Sequence, residues 1–156
     1  MAGSLIWTAP AISSSDYRKA IHANTKPAEL RRLSKHFSKK VREAVASNRK
    51  TPPDVLHQLA TDISVSVRIT VATNLSTPEK THLLLARDRN KEVRRVVARF
   101  EYAPASALAV LSKDKDPDIR LEVARNLNTD KATLNKLASD EYNDVKRMAT
   151  HALSRK

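Results

Sequence analysis

The feature that most constrains this chain is a pattern that returns every 26 residues. In each copy an apolar residue is followed by a basic one: Val41-Arg42, Val67-Arg68, Val93-Arg94, Ile119-Arg120 and Val145-Lys146. A fixed period of this length is typical of stacked repeats, in which each unit buries its apolar face only against its neighbours. The sequence therefore predicts a repeat array, and such arrays bind partners more often than they catalyse reactions.

Each unit contains two stretches with helical spacing of apolar residues. In the best-defined unit, Val67 and Val71 lie four residues apart in the first stretch, and Leu85 and Ala86 continue the pattern in the second. We therefore predict an all-α fold with two helices per unit. Residues 1–15 are assigned to an N-terminal tail or cap, in which Leu5, Ile6 and Trp7 could cover the open end. Residues 16–156 are assigned to a single helical-repeat domain, with units at about 16–37, 38–63, 64–89, 90–115 and 116–141 and a terminal helix at 142–156.

Residues at the ends of these stretches predict where the helices begin and stop. A column of hydrogen-bond acceptors is predicted to cap the first helices, namely Ser14, Ser38, Ser64, Asn90 and Asp116. A column of asparagines is predicted to end them in a left-handed conformation, namely Asn24, Asn48, Asn74 and Asn126. Thr77 is expected to cap the second helix and Pro78 to fill its first position. Because Asn24 precedes Asn48 by only 24 residues, the first unit is predicted to lack two residues.

The string V-R-x-x-V-A-x-N-x-x-T-P-x-x-x-L-x-x-L-A-x-D resembles the leucine-rich repeat variant family of bacterial proteins. It is clearest at residues 41–62 and 119–140, and the segment from Asp116 to Arg120 is similar to a helix of HEAT repeats. The resemblance implies a right-handed α-solenoid, or superhelix, of paired helices. With the 26-residue period it predicts about five HEAT-like repeats plus a terminal helix. It leaves open whether the shorter helix of each pair is an α or a 3₁₀ helix, and it fixes no activity.

Charge is the second informative property of the chain. Lys and Arg number 29 against 17 Asp and Glu, which gives a net charge of +12. The excess falls from +8 in residues 1–50 to +1 in residues 101–156, so the N-terminal half is the expected docking end for a polyanion. No cysteine, no apolar run long enough to span a bilayer and no clear signal peptide are present. We expect a soluble, cytoplasmic protein.

The basic residues fall into two groups with different expected roles. The repeated Arg42, Arg68, Arg94 and Arg120 recur with Asp62, Asp88, Asp114 and Asp140, and we expect these to pair as a structural ladder that ties each helical hairpin to the next. Basic residues at variable positions are the candidates for polyanion binding: Arg31, Arg32, Lys35, Lys39, Lys40, Arg87, Arg89, Lys91, Arg95, Arg99, Arg125 and Arg147. Stacking would align them into stripes suited to a phosphate backbone or an acidic protein surface.

Three further features of the sequence bear on function. His82 occupies a column of leucines and is expected to be a packing residue. Phe100 replaces a turn asparagine, and with Tyr102 it either binds a base or an acidic peptide or fills a gap in the core. The histidines lack metal-ligand spacing, and no glycine-rich phosphate loop is present.

The sequence thus predicts a non-catalytic module without cofactor, catalytic residue or metal. It is expected to bind DNA or RNA through phosphates, and the alternative is a protein-interaction adaptor for an acidic partner. Neither reading involves a membrane, and the oligomeric state is left open.

Overall fold

The computed structural model describes residues 14–155, and this range contains eleven α-helices and no strand. The helices are α1 (Ser14–Ile21), α2 (Pro27–Leu33), α3 (Lys39–Ser47), α4 (Pro53–Leu59), α5 (Val65–Thr73), α6 (Glu79–Leu85), α7 (Lys91–Arg99), α8 (Ala105–Leu111), α9 (Pro117–Arg125), α10 (Lys131–Leu137) and α11 (Asn143–Leu153). The all-α prediction is confirmed, and the shorter, even-numbered helices are α-helical. The handedness and the repeat count stay predictions. The tail assigned to residues 1–15, with Leu5, Ile6 and Trp7, lies outside the described residues except for Ser14 and Ser15, which belong to α1.

The helices form two layers around one apolar core. Each odd-numbered helix packs along the next odd-numbered helix, whereas among the even-numbered helices only α6 and α8 are in extensive contact. The core lies between the layers and contains the fully buried valines of the odd-numbered helices, such as Val67 and Val71 in α5. The even-numbered helices contribute leucines, such as Leu56 and Leu108. Residues one repeat apart are therefore neighbours, which is the condition for any column of side chains to act together.

Four of the five predicted caps are right in position and only partly right in chemistry, whereas Ser14 is a helical residue of α1 and not its cap. Asn90 and Asp116 do cap, because their side chains accept hydrogen bonds from the amides of Glu92 and Asp118. Ser38 and Ser64 occupy the same positions, yet their hydroxyls cap nothing. The amide of Ser64 instead donates to the preceding Asp62 carboxylate at 2.8 Å, so the serine's own oxygen is not needed to order the turn.

The asparagine and threonine assignments were wrong in mechanism. Asn48 has φ −72° and ψ 124°, and no residue in the described range has a positive φ. Thr77 does not cap α6, because its hydroxyl donates back to the Val71 carbonyl at 2.6 Å, and Pro78 is itself the N-cap residue rather than the first helical one. The Thr77 side chain therefore closes the end of the preceding helix instead of starting the next one.

The first unit keeps the full 26-residue register, which corrects the predicted two-residue deletion. The hydroxyl of Thr25 donates to the Lys19 carbonyl at 2.5 Å, as Thr51 does to Val45 one repeat later. His22, not Asn24, therefore stands in the column of Asn48. The misalignment arose because the first unit carries polar or exposed residues where the others carry valine, so its most visible landmark was an asparagine in the wrong column.

Candidate nucleic-acid interface

The repeated arginines and aspartates form the predicted ladder. In each unit the Nε and Nη2 atoms of the arginine donate to both oxygens of the aspartate twenty residues later, as Arg68 does to Asp88 at 2.6 and 2.9 Å. Three other pairs repeat this geometry, namely Arg42–Asp62, Arg94–Asp114 and Arg120–Asp140. Each pair joins the two helices of one unit, whereas the prediction had it joining one unit to the next.

The contact between units comes from the third nitrogen of the same guanidinium. Nη1 of Arg68 donates to the Asp62 backbone carbonyl at 2.8 Å, and Arg94 and Arg120 do the same to Asp88 and Asp114. The side chains of Arg68 and Asp88 are only 4% and 8% exposed. In such bidentate, charge-assisted contacts the two charges neutralise each other, so these arginines are unavailable to a ligand.

The electrostatics of the ladder agree with this geometry. Burial by itself raises the pKa of Asp88, but the hydrogen bonds from Arg68 and the Asn90 amide outweigh it, and the net pKa lies below the usual value. At Asp140 the Arg120 hydrogen bond is the largest influence, and the pKa is again lowered. Every aspartate of the ladder is therefore ionised at neutral pH.

The first unit builds its corresponding contact with acid and base exchanged. Asp16 stands in the arginine column and His36 in the aspartate column, and their Oδ2 and Nε2 atoms are 3.6 Å apart. Nδ1 of His36 accepts from the Ser38 amide at 3.0 Å, as the Asp62 carboxylate does from Ser64. The loops that follow the even-numbered helices, which hold these aspartates and His36, are called the ladder edge below.

A second column of polar side chains lies on the opposite edge, in the loops after the odd-numbered helices. Nδ2 of Asn74 donates to the carbonyls of Ala46 and Asn48 at 2.6 and 3.1 Å, and Asn126 makes the equivalent bonds to Ala98 and Phe100. These amides tie each unit to the one before it.

Between Asn48 and Asn126 the asparagine column is broken at Phe100, and His82 replaces the missing donor. The carbonyl that an asparagine at position 100 would reach is that of Ala72, and Nε2 of His82 lies 3.1 Å from it. The two rings also stack, with centroids 5.6 Å apart. His82 is 3% exposed, so its predicted packing role is confirmed. Burial, the main cause, lowers its pKa, and the ring is a neutral donor.

The structure separates the twelve candidate polyanion contacts into three places. Two of them lie on the outer face of α2 and are already paired: Arg31 donates to Asp54 at 2.8 Å, and Arg32 contacts both Glu29 and Asp16. Five are on or beside the ladder edge, namely Lys35, Lys39, Arg87, Arg89 and Lys91. The other five, Lys40, Arg95, Arg99, Arg125 and Arg147, lie on the outer face of the odd-numbered layer.

On that odd-numbered face the arginines alternate with carboxylates. Arg95 pairs with Glu92, and Glu122 lies 3.9 Å from Arg99 and 3.6 Å from Arg125. The predicted continuous basic stripe is therefore not present there, because acidic residues occupy neighbouring columns that sequence spacing alone did not bring together.

The densest basic cluster belongs to two adjacent loops of the ladder edge. It consists of Arg87, Arg89, Lys91, Lys113 and Lys115, which are all exposed. The aspartates between them, Asp88 and Asp114, are neutralised by the ladder, and in the described chain only Lys91 forms an ion pair, with the Asp116 carboxylate at 3.7 Å. The preceding loop carries Thr61, Ile63 and Val65 in the matching columns, so Lys35 and Lys39 are separated from these five residues. We call the five residues the basic edge cluster.

Two comparisons with known proteins give no family: no protein-family model matches the chain, and no curated protein matches it. Among solved structures, the chain is similar to an engineered protein whose crystal structure was determined by the Northeast Structural Genomics Consortium. The two are 17% identical over 90% of this chain and 87% of that one, with a TM-score of 0.48, and a likeness at this level carries no argument about function. Within residues 14–155, no group of side chains could hold a metal ion. The same part of the chain contains no helix capable of crossing a bilayer.

Proposed function

We propose that this chain is a non-catalytic helical-repeat module that binds nucleic acid through the phosphate backbone at the basic edge cluster. The supporting observation is the small number of competing carboxylates: the ladder neutralises Asp88 and Asp114, and of the five exposed basic side chains between and beside them only Lys91 forms an ion pair in the described chain, with Asp116. A surface of this kind follows a phosphate backbone without reading its sequence.

The repeat architecture suits this role because it holds the charges at a constant spacing. Arg87 and Lys113 occupy one column, and Arg89 and Lys115 occupy the next. As part of this proposal the units form a right-handed solenoid of about five HEAT-like repeats plus a terminal helix. The odd-numbered layer lies on its concave side, since the odd-numbered helices pack closely while most even-numbered ones hardly touch.

The competing proposal is an adaptor for an acidic protein, and one observation favours it. A groove of about 740 Å³ lies on the odd-numbered face near the N-terminal end, with Tyr17, Ile21 and Ala44 in its lining. Tyr17 and Ile21 are 41% and 51% exposed, which suits an apolar side chain of a partner.

The test compares two matched pairs of lysine reversals in fluorescence anisotropy with a labelled duplex across a salt series. Lys113→Glu/Lys115→Glu changes the basic edge cluster, and Lys131→Glu/Lys136→Glu makes the same charge change on the exposed face of α10. We expect the first pair to weaken binding at least about tenfold and to reduce the log–log salt slope by about 0.9 for each lost phosphate contact. The second pair should lose much less affinity and keep its slope.

An equal loss in both variants would mean that only net charge matters and would remove the assignment to this edge. Absence of wild-type binding to DNA and RNA at low salt would overturn the nucleic-acid proposal altogether, and retention of an acidic peptide by the same preparation would support the adaptor.

A further inference from the structure

A second surface on the molecule has a different character from the basic edge cluster. It is a groove of about 320 Å³ between the loops that follow α7 and α9. Tyr102 and Leu127 form two of its walls and are 60% and 84% exposed. Every other described residue in the column of Tyr102 is polar and non-aromatic, for example Ser76 and Asn128. The groove is thus specific to this point of the repeat array.

The ring of Tyr102 is supported from inside the protein. Phe100 meets it edge-on with centroids 5.7 Å apart, and Phe100 in turn stacks on the buried His82. The three rings run from the core to the solvent, so the exposed tyrosine has a backing that holds its ring in place. An aromatic wall held in this way can stack a planar group without losing much side-chain freedom.

The charges of the groove favour a neutral occupant that is attached to anions. Glu101 and Glu122 line it together with Arg99 and Arg125, so its interior is balanced. Lys91, at the other end of α7, belongs to the basic edge cluster, about 13 Å away along the nine-residue helix. An acidic peptide side chain would meet the two carboxylates, whereas an uncharged base would not, and phosphates further along the same strand would reach the basic edge cluster.

We infer that this groove takes an unpaired base of single-stranded nucleic acid, stacked on Tyr102 against Leu127. This inference rests on the proposed function and narrows it, because a base within a duplex is already stacked and cannot enter the groove. Under this inference the basic edge cluster binds the phosphates, and stacking on Tyr102 makes the protein prefer single strands.

The experiment measures anisotropy of a labelled pyrimidine-rich single strand and of its duplex with wild type, Tyr102→Ala, Tyr102→Phe and Tyr17→Ala. Truncation of one aromatic ring on which a base stacks is expected to weaken the affinity by at least about fivefold. We expect Tyr102→Ala to lose this factor for the single strand with duplex affinity and salt slope unchanged, and Tyr102→Phe to bind like wild type. Tyr17→Ala, which removes an exposed tyrosine three units away, should bind both normally. Unchanged melting temperatures show that each variant is folded.

The outcomes separate the two proposals. If wild type binds both probes and Tyr102→Ala alters neither, the groove assignment fails while the phosphate surface stands. An equal loss for single strand and duplex would also overturn it, since it would show that Tyr102 acts through structure. If wild type binds neither probe, both proposals fail, and binding of a labelled acidic peptide that Tyr102→Ala abolishes would assign the groove to a protein partner.

Discussion

The two edges of the molecule are held together by polar contacts that tolerate substitution to very different degrees. On the ladder edge the arginine–aspartate pair recurs in four consecutive units of the described chain with almost identical distances. On the opposite edge the asparagine column is interrupted at Phe100, and a histidine from another helix supplies the donor. The ladder therefore requires its own residues, whereas the asparagine position requires only a donor at the right carbonyl.

The difference follows from how many contacts each side chain makes. A ladder arginine donates from two nitrogens to a buried carboxylate, which it neutralises, and from the third to a backbone carbonyl of the preceding unit, so no single neutral residue replaces it. An asparagine of the opposite edge donates one amide to two carbonyls and accepts the amide two residues later, but it carries no charge, and an imidazole within reach can replace the donation to the first carbonyl. Where the ladder does change, at Asp16 and His36, both partners change together.

The largest expected effect comes from breaking one interior pair. Arg68→Ala leaves the Asp88 carboxylate, which is 8% exposed, without its counter-charge, and also removes the donor to the Asp62 carbonyl. Removal of one partner of a buried ion pair costs about 3–5 kcal/mol, to be measured by urea unfolding at pH 7.

The control for this prediction is Arg31→Ala, because Arg31 pairs with Asp54 at the surface, where the two side chains are 51% and 61% exposed. It should leave the unfolding midpoint unchanged. If the two arginines proved equally important, the ladder would be no more than a set of surface ion pairs.

The sequence alone predicts much of this fold, because period and residue type repeat together. The 26-residue register, the paired helices and the partners of Arg68 and Arg94 all follow from columns that any unit displays. The contacts that the sequence did not reveal depend on how close different columns lie in space. That Glu122 lies between Arg99 and Arg125, or that Arg31 and Arg32 are already paired, requires knowing how helices of adjacent units face one another.

The coupling of His82 to Phe100 was also missed, although a signal was available. Each residue is an exception in its own column, His82 among leucines and Phe100 among asparagines, and both exceptions lie within 18 residues. Two simultaneous departures from a repeat consensus are a sign of mutual compensation. Taken singly, each departure predicts only a packing residue at His82 and leaves the role of Phe100 open.

A double-mutant cycle tests this compensation and is expected to give the second-largest effect. His82→Leu restores the column residue but leaves the Ala72 carbonyl without its side-chain donor, which costs about 1–3 kcal/mol. Phe100→Asn alone places an amide beside a carbonyl that His82 already occupies. The double variant has the contacts of Asn126 and its unit, so we expect a coupling energy of about 1–2 kcal/mol in favour of the double change. Additive effects would show that the two exceptions are independent.

The smallest expected effect is a pH dependence specific to His82. Burial lowers its pKa in the folded state, against the bonding of its ring to the Ala72 carbonyl, from an ordinary value of 6.5. Above about pH 6.5 neither state is protonated and the full stability is present. As the pH falls below this value the unfolded chain binds a proton that the folded chain does not, so the free energy of unfolding declines by at most about 1.4 kcal/mol per pH unit.

The measurement is urea unfolding at pH 7.5 and at pH 5.5. Both values lie above the range in which the ladder aspartates titrate, since their pKa values are lowered from 3.8. His82→Leu should show a smaller decline than wild type over this interval. If its decline equals that of the wild type, the ring is not held neutral by burial, and its role as replacement donor would have to be reassigned.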